Sequence, residues 1–317
     1  MTLTAIPHRR LAGIALLWAV LYGAVRGYWQ SGHMPDRMSP VGYDLVAFTG
    51  WASVGLCAAA ALVSAVLLAA PAGGPGRRVL PFAAWAVGLA LVASSAMLLL
   101  DVVGLLLPGV GVRFYPLGAA SRAACAGMGA AVGLAALSFR RRARGACLTC
   151  GKTAPAPIDR RTPAWAWWAA YLAVAGCLAR LAAQLAFDGG RLVEAAAAPL
   201  LFEAGFLLAG IVLPLALVHS WGRVWPLTGG RRVPRPLVLW PAAGVSAGLI
   251  VYFGLMQLQM ISERLQGRNP FPPDGGLALP ETFFWLAVPG YLLWGVGLAI
   301  ATVAFARRTR RPCTACG

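Results

Sequence analysis

Residues 140–151 read RRRARGACLTCG, and residues 306–317 read ARRTRRPCTACG. Each stretch follows a long apolar segment, carries a cluster of arginines and ends in Cys-x-x-Cys-Gly. One copy lies at mid-chain and the other follows the last apolar segment. This arrangement predicts a duplicated membrane protein whose two halves meet at a site built from both cysteine motifs.

The composition around these stretches is that of an integral membrane protein. Apolar residues make up 59% of the 317 residues, charged residues only 12%, and the mean hydropathy is +0.71. A soluble domain carries roughly 25% charged residues, and a helix needs about 20 apolar residues to cross a bilayer. We therefore predict an all-α polytopic integral membrane protein with eight transmembrane helices. The predicted segments are 11–30, 43–70, 80–107, 117–139, 164–187, 196–219, 237–260 and 282–305.

The two halves of the sequence share features in the same order, which predicts an internal repeat. The matched features are Arg26-x-x-x-Gln30 with Arg180-x-x-x-Gln184, Asp44 with Glu203, two Gly-Arg-Arg loops, and the two cysteine motifs. An even number of helices in each half returns the chain to the same side of the membrane, so the repeats are parallel. The predicted organisation is a first four-helix repeat at 1–151, a cytoplasmic linker at 152–163 and a second four-helix repeat at 164–317.

The net charge of +17 comes from basic residues in short loops between apolar segments. Loops on one side hold 19 lysine and arginine residues, and those on the other side hold 5. Because positive loops stay on the cytoplasmic side, both termini and both cysteine motifs are predicted to lie in the cytoplasm, with the chain in the plasma membrane. This distribution predicts lipid as the partner, with anionic lipid at the cytoplasmic face, and excludes nucleic acid.

The cysteine motifs predict a metal site. Two residues between the cysteines of a motif let both sulfurs turn toward one ion, and the following glycine permits a tight turn. Together the motifs supply four thiolates, the ligand set of a structural zinc site: Cys147, Cys150, Cys313 and Cys316. A dithiol redox centre is the alternative, although such centres usually open a helix in a βαβ unit, whereas these motifs follow helices. Two motifs that never meet are a further alternative.

Six charged residues lie within or at the ends of apolar segments: Arg26, Asp44, Asp101, Arg122, Arg180 and Glu203. A charge at mid-bilayer costs about 2.5–3.5 kcal/mol on insertion scales, so such residues are expected to pair or to serve a ligand. Each arginine has an acid at similar depth on the next helix, which predicts pairs of Arg26 with Asp44, Arg122 with Asp101 and Arg180 with Glu203. They line an outward-facing polar cavity for a small molecule, or they are structural ion pairs.

The first helix, LLWAVLYGAVRGYWQSG at 16–32, and the arginine-flanked Cys-x-x-Cys-Gly ends resemble uncharacterised multi-pass membrane proteins of actinobacteria. That resemblance implies no established activity. The sequence lacks a His-Glu-x-x-His, a P-loop or a Gly-x-Ser-x-Gly motif, which favours a protein that is not an enzyme. We predict a small-molecule transporter or binding protein with a cytoplasmic zinc clamp. The alternatives are a membrane-bound thiol redox enzyme or sensor, and a structural or accessory membrane protein.

Overall fold

The computed structural model describes residues 8–40, 49–71, 78–108, 112–147, 151, 161–187, 197–224, 231–271, 279–310 and 313. In these residues the regular structure is helical, apart from one isolated bridge between Val224 and Arg232. Eight helical spans within the described part are long and apolar enough to cross a membrane. This finding confirms the predicted class, an all-α multi-pass membrane protein.

Ten α-helices are found in the described residues. Their bounds are α1 His8–Tyr28, α2 Gly50–Ala69, α3 Val79–Ala93, α4 Leu98–Leu106, α5 Pro116–Ala143, α6 Ala164–Phe187, α7 Ala197–Leu207, α8 Leu213–Val218, α9 Arg235–Leu265 and α10 Glu281–Arg308. Two π-helical turns, Trp29–His33 and Leu208–Val212, follow α1 and α7. Helices α3 and α4 belong to one span, and α7 and α8 belong to another.

The third span is not one continuous α-helix, because a short turn separates α3 from α4. The hydroxyl of Ser94 donates to the carbonyl of Ala90 at 2.9 Å, and that of Ser95 donates to Val92 at 2.7 Å. Serine hydroxyls that bond the preceding turn compete with the backbone ladder of a helix. The span changes geometry at these serines, where the backbone N–H groups of Ser94, Ser95, Ala96 and Leu98 still donate to carbonyls three or four residues back.

The π-helical turn in the sixth span has its cause in Pro214. Proline has no N–H, so the carbonyl of Gly210 cannot receive the usual helical hydrogen bond from that position. The N–H of Leu213 donates five residues back, to Leu208, which is the π-helical pattern. A side chain at Gly210 would collide with the sulfur of Cys177, so the turn also requires glycine where α6 approaches it.

The chain divides into two compact units. The first comprises Met1–Asp101, Phe114–Pro157 and Arg311–Gly317. In it α1 packs against α2 and α5, and α3 packs against α5. A Cβ atom built on Gly129 of α5 would lie 2.7 Å from the carbonyl oxygen of Gly88 of α3, so these helices cross at backbone contact. The largest buried apolar side chains of this unit include Leu67, Leu91, Met128, Val132 and Phe139.

The second unit comprises Val102–Arg113 and Ile158–Arg310. Here α10 packs against both α6 and α9. A Cβ atom on Gly176 of α6 would meet the backbone of Gly290 and would lie 2.6 Å from the nitrogen of Trp294. The fully buried Trp294 fills the space beside this glycine contact.

The first and fourth spans of each unit pack together, as do the third and fourth. The proposed duplication is compatible with this shared pattern, and the two-repeat arrangement stays a prediction. Large apolar side chains are exposed along the spans, including Leu17, Leu89, Leu201, Trp240 and Leu286. An apolar outer surface of this kind requires lipid around it, in agreement with the membrane class.

Candidate functional site

The end of α5 positions the first cysteine motif through its backbone. Gly145 adopts φ +63° after the helix ends, and its N–H donates to the carbonyl of Arg142 at 3.0 Å. The N–H of Ala146 donates to Arg141 at 2.9 Å. This pair of bonds with a left-handed glycine is a Schellman ending, which closes the helix and turns the chain back. Cys147 therefore leaves the helix at a fixed position.

The glycine of the first cysteine motif is Gly151. This residue adopts φ +75°, a conformation that favours glycine, and its N–H donates to the carbonyl of Cys147 at 2.7 Å. The guanidinium of Arg141 lies against it, because a Cβ atom there would be 3.0 Å from Arg141 Nε. A positive charge therefore lies beside Gly151, and the predicted tight turn through 148–150 falls outside the described residues.

The structure brings one cysteine of each motif into contact. The Sγ atoms of Cys147 and Cys313 are 3.8 Å apart, although 166 residues separate them in sequence. Both are free thiols of intermediate exposure and belong to the first unit. Cys150 and Cys316, the other two predicted ligands, lie outside the described residues. Within the described part of the chain, no three His, Cys, Asp or Glu side chains form a metal-binding group.

Arg122 and Asp101 form an ion pair inside the first unit. Arg122 Nε and Nη2 donate to the two carboxylate oxygens at 2.5 and 2.7 Å. Nη2 also donates to the carbonyl of Met38 at 2.8 Å. Both charged side chains are buried. The bidentate geometry neutralises both charges within the protein.

Arg26 is buried in the same unit, with 2% of its surface exposed. Its Nε donates to the hydroxyl of Ser53 at 3.0 Å, and its guanidinium lies 5.4 Å from the ring centroid of Trp29. Asp44, its predicted partner, lies outside the described residues. The pairing of Arg26 with Asp44 therefore stays a prediction.

Arg180 and Glu203 are in contact in the second unit. Arg180 Nη1 and Nη2 donate to the carboxylate at 2.6 and 2.9 Å, and its Nε donates to the hydroxyl of Tyr291 at 2.5 Å. The guanidinium lies 5.0 Å from the ring centroid of Phe206 and 5.4 Å from that of Tyr291. The carboxylate of Glu203 and the rings of Phe206 and Tyr291, with the hydroxyl of Tyr291, together surround this charge.

Several of these partners were not predicted from the sequence, namely Met38, Ser53, Phe206 and Tyr291. Met38 contributes only a backbone carbonyl, which no side-chain pattern reveals. The polar atoms of Ser53 and Tyr291 in otherwise apolar helices were available signals. Within the described part of the chain, Gln184 and Gln257 each carry a buried Oε1 without a hydrogen-bond partner.

Comparisons with protein-family models, with curated proteins and with solved structures find no match to this chain. The resemblance to actinobacterial membrane proteins therefore stays a prediction.

Proposed function

We propose that this chain is a non-enzymatic plasma-membrane protein whose two cysteine motifs bind one structural zinc ion. The contact between Cys147 and Cys313 carries the proposal. In a tetrahedral site with Zn–S bonds of about 2.3 Å, neighbouring sulfurs are about 3.8 Å apart. The observed separation of 3.8 Å equals that tetrahedral edge, and it is far longer than a disulfide bond of about 2.05 Å.

The charge around the site supports the same ligand. A zinc ion with four thiolates carries a net charge of about −2, which nearby cations offset. The guanidinium of Arg141 lies against Gly151, and positive charge near a cysteine favours its thiolate. Cys150 and Cys316 supply the remaining two ligands in this proposal.

Elemental analysis of the purified full chain tests the zinc site. We expect about one zinc per chain, lost in a Cys147→Ser variant and in a Cys313→Ser variant, because each removes a thiolate. Cys177→Ser is the matched control, since Cys177 is a buried free thiol of α6 in the second unit. A zinc content near zero in the unaltered protein, or one that both motif variants retain, contradicts the proposal.

The contact between Cys147 and Cys313 also favours a second candidate function, a dithiol redox pair. Cys147 and Cys313 would lose two electrons and two protons to a small-molecule disulfide, forming a disulfide between them and two small thiols. Titration of the protein as purified in glutathione buffers, with and without a chelator and followed by mass spectrometry, measures this reaction. A reversible midpoint near the cytosolic potential supports a redox role. Oxidation only in the presence of a chelator supports the zinc site.

For the membrane-embedded part we propose a small-molecule transporter or binding protein, with both termini in the cytoplasm and anionic lipid at that face. Buried guanidinium groups such as Arg180 support this proposal, because ionisable residues inside membranes commonly serve substrates. The bidentate pair with Glu203 supports a structural role instead, because the carboxylate already engages one N–H of each Nη atom and neutralises the charge.

Carboxylate probes separate these two roles. Acetate and succinate are expected to raise the thermal midpoint of the purified protein if Arg180 binds a ligand, and Arg180→Gln should abolish the effect. No shift, together with a loss of stability in the variant, contradicts ligand binding.

A membrane-impermeant maleimide tests the proposed orientation. If both termini lie in the cytoplasm, it labels the cysteine motifs in inverted vesicles and not in intact cells.

A further inference from the structure

One arginine of α5 contacts the chain on both sides of the first cysteine motif. The carbonyl of Arg141 accepts hydrogen bonds from the N–H groups of Arg144 and Ala146, at 3.2 and 2.9 Å, in the turn that leads to Cys147. The side chain of the same arginine lies against Gly151, the residue that closes the motif. Arg141 therefore shapes the backbone before the first cysteine and covers the glycine that follows the second.

The contact with Gly151 involves the whole guanidinium group. A Cβ atom built on Gly151 would lie 3.0 Å from Nε, 3.3 Å from Cζ and 3.4 Å from Nη2 of Arg141. The guanidinium thus borders the space that a side chain at Gly151 would occupy. Since the N–H of Gly151 donates to the carbonyl of Cys147 at 2.7 Å, the cation lies beside the hydrogen bond that joins the two ends of the motif.

The neighbouring arginines of α5 are placed differently. The guanidinium of Arg140 lies 5.1 Å from the ring centroid of Trp85, on α3. Arg142 and Arg144 are exposed, whereas Arg141 is only partly exposed. A partly shielded charge acts on a nearby anionic site more strongly than an exposed charge, which solvent and salt screen. Arg141 is therefore the arginine of this cluster that is best placed to act on the motif.

We propose that Arg141 is a positioning residue for zinc. It holds the first motif in the geometry that presents its thiols to the ion, and its charge offsets that of the thiolates. This inference rests on the proposed zinc site and names a residue outside the ligand set that controls its affinity. Groups that orient metal ligands from outside typically change metal affinity 10–100-fold when they are replaced.

Competition between the purified full-length protein and a chromogenic chelator, at low and at high KCl concentration, measures the dissociation constant for zinc. Arg141→Gln should raise this constant about tenfold. Arg141→Lys keeps the charge and should recover part of the loss, which separates the role of the charge from misfolding. The effect of Arg141→Gln should shrink at high KCl, because salt screens a contribution from charge and leaves a purely steric one unchanged.

Gly151→Ala tests the contact itself. The new Cβ would push the guanidinium away, in addition to straining a backbone that has φ +75°. In the Arg141→Gln background the guanidinium is already absent. Gly151→Ala should therefore weaken zinc binding less in that background than in the unaltered chain. Equal losses in the two backgrounds overturn the proposal, because they show that the residues do not act together.

The matched control is Arg144→Gln, which removes the same charge from an exposed position three residues before Cys147. It should change the dissociation constant by less than about twofold, because solvent screens that charge. The proposal is overturned if Arg144→Gln weakens binding as much as Arg141→Gln, or if Arg141→Gln binds zinc as tightly as the unaltered chain. Absence of zinc from the unaltered chain contradicts the zinc site as well, so the two failures are distinguishable.

Discussion

The ion pair of Arg180 and Glu203 gives the sharpest stability prediction, because both charged side chains are almost completely buried. The side chains are 7% and 12% exposed, and two hydrogen bonds of 2.6 and 2.9 Å join them. Glu203→Gln keeps the shape of the side chain but removes its charge. The guanidinium then stays buried with a neutral amide and the hydroxyl of Tyr291. Removing one partner of a buried pair costs about 3–5 kcal/mol, so we expect a loss of about 3 kcal/mol.

The measurement is the free energy of unfolding of the purified chain in mixed micelles, followed by the circular dichroism of its helices. A double variant, Arg180→Gln with Glu203→Gln, should lose less stability than Glu203→Gln alone, because it leaves no unpaired buried charge. Together with the single variant Arg180→Gln, these two variants complete a double-mutant cycle that gives the coupling energy of the pair.

Glu263→Gln is the matched control for this experiment. It makes the same substitution opposite an arginine, and Glu263 accepts from Arg268 at 2.5 and 3.1 Å. That pair is exposed, with Arg268 at 60%, so solvent screens it and we expect no measurable change. If Glu203→Gln costs no more than Glu263→Gln, burial does not strengthen the inner pair and the reasoning is refuted.

Two further substitutions test packing and hydrogen bonding in the first unit by the same unfolding measurement. Gly129→Ala should lower the free energy of unfolding by about 1–3 kcal/mol, because its Cβ would lie 2.7 Å from the carbonyl oxygen of Gly88. Gly133→Ala is the control and should be neutral, because a Cβ atom at Gly133 meets nothing within 4 Å. Equal effects of the two alanines would show that α3 and α5 do not cross at Gly129. Tyr22→Phe removes a 2.6 Å hydrogen bond to the hydroxyl of Ser121 and should cost about 1 kcal/mol; an unchanged stability would show that this bond is not formed.

The number and order of the spans could be predicted because apolar runs of about 20 residues are a direct consequence of bilayer thickness. The fifth span agrees with its predicted bounds, 164–187, since Pro163 and a tryptophan cluster mark its start. Other ends extend further than predicted. Helix α5 continues through Arg142 because basic side chains are favourable in the last turn of a helix.

Breaks inside spans could not be predicted from hydropathy, which averages over the window that contains them. The turn at 94–97 depends on serine hydroxyls that bond backward, and the π-helical turn at 208–212 depends on Pro214 and on the neighbouring helix. Each break changes the helix geometry over only a few residues. The paired serines and the proline are visible in the sequence, but on their own they do not predict a break in a helix.

Two ion pairs could be predicted because an arginine and an acid lie at similar membrane depth on helices adjacent in sequence. The structure brings both predicted pairs into contact, Arg122 with Asp101 and Arg180 with Glu203. The remaining partners required tertiary packing. Tyr291 reaches Arg180 across 111 residues because α6 and α10 cross at glycines. No spacing rule within one helix predicts such a contact.

The contact between Cys147 and Cys313 has a consequence for biosynthesis. Because 166 residues separate them, ribosomes adding about 5–20 residues per second make Cys313 roughly 8–33 s after Cys147. During that interval the first motif is complete while its counterpart is still being translated. The thiol contact therefore forms only after the polypeptide of α10 has been synthesised, which makes it a late step in maturation.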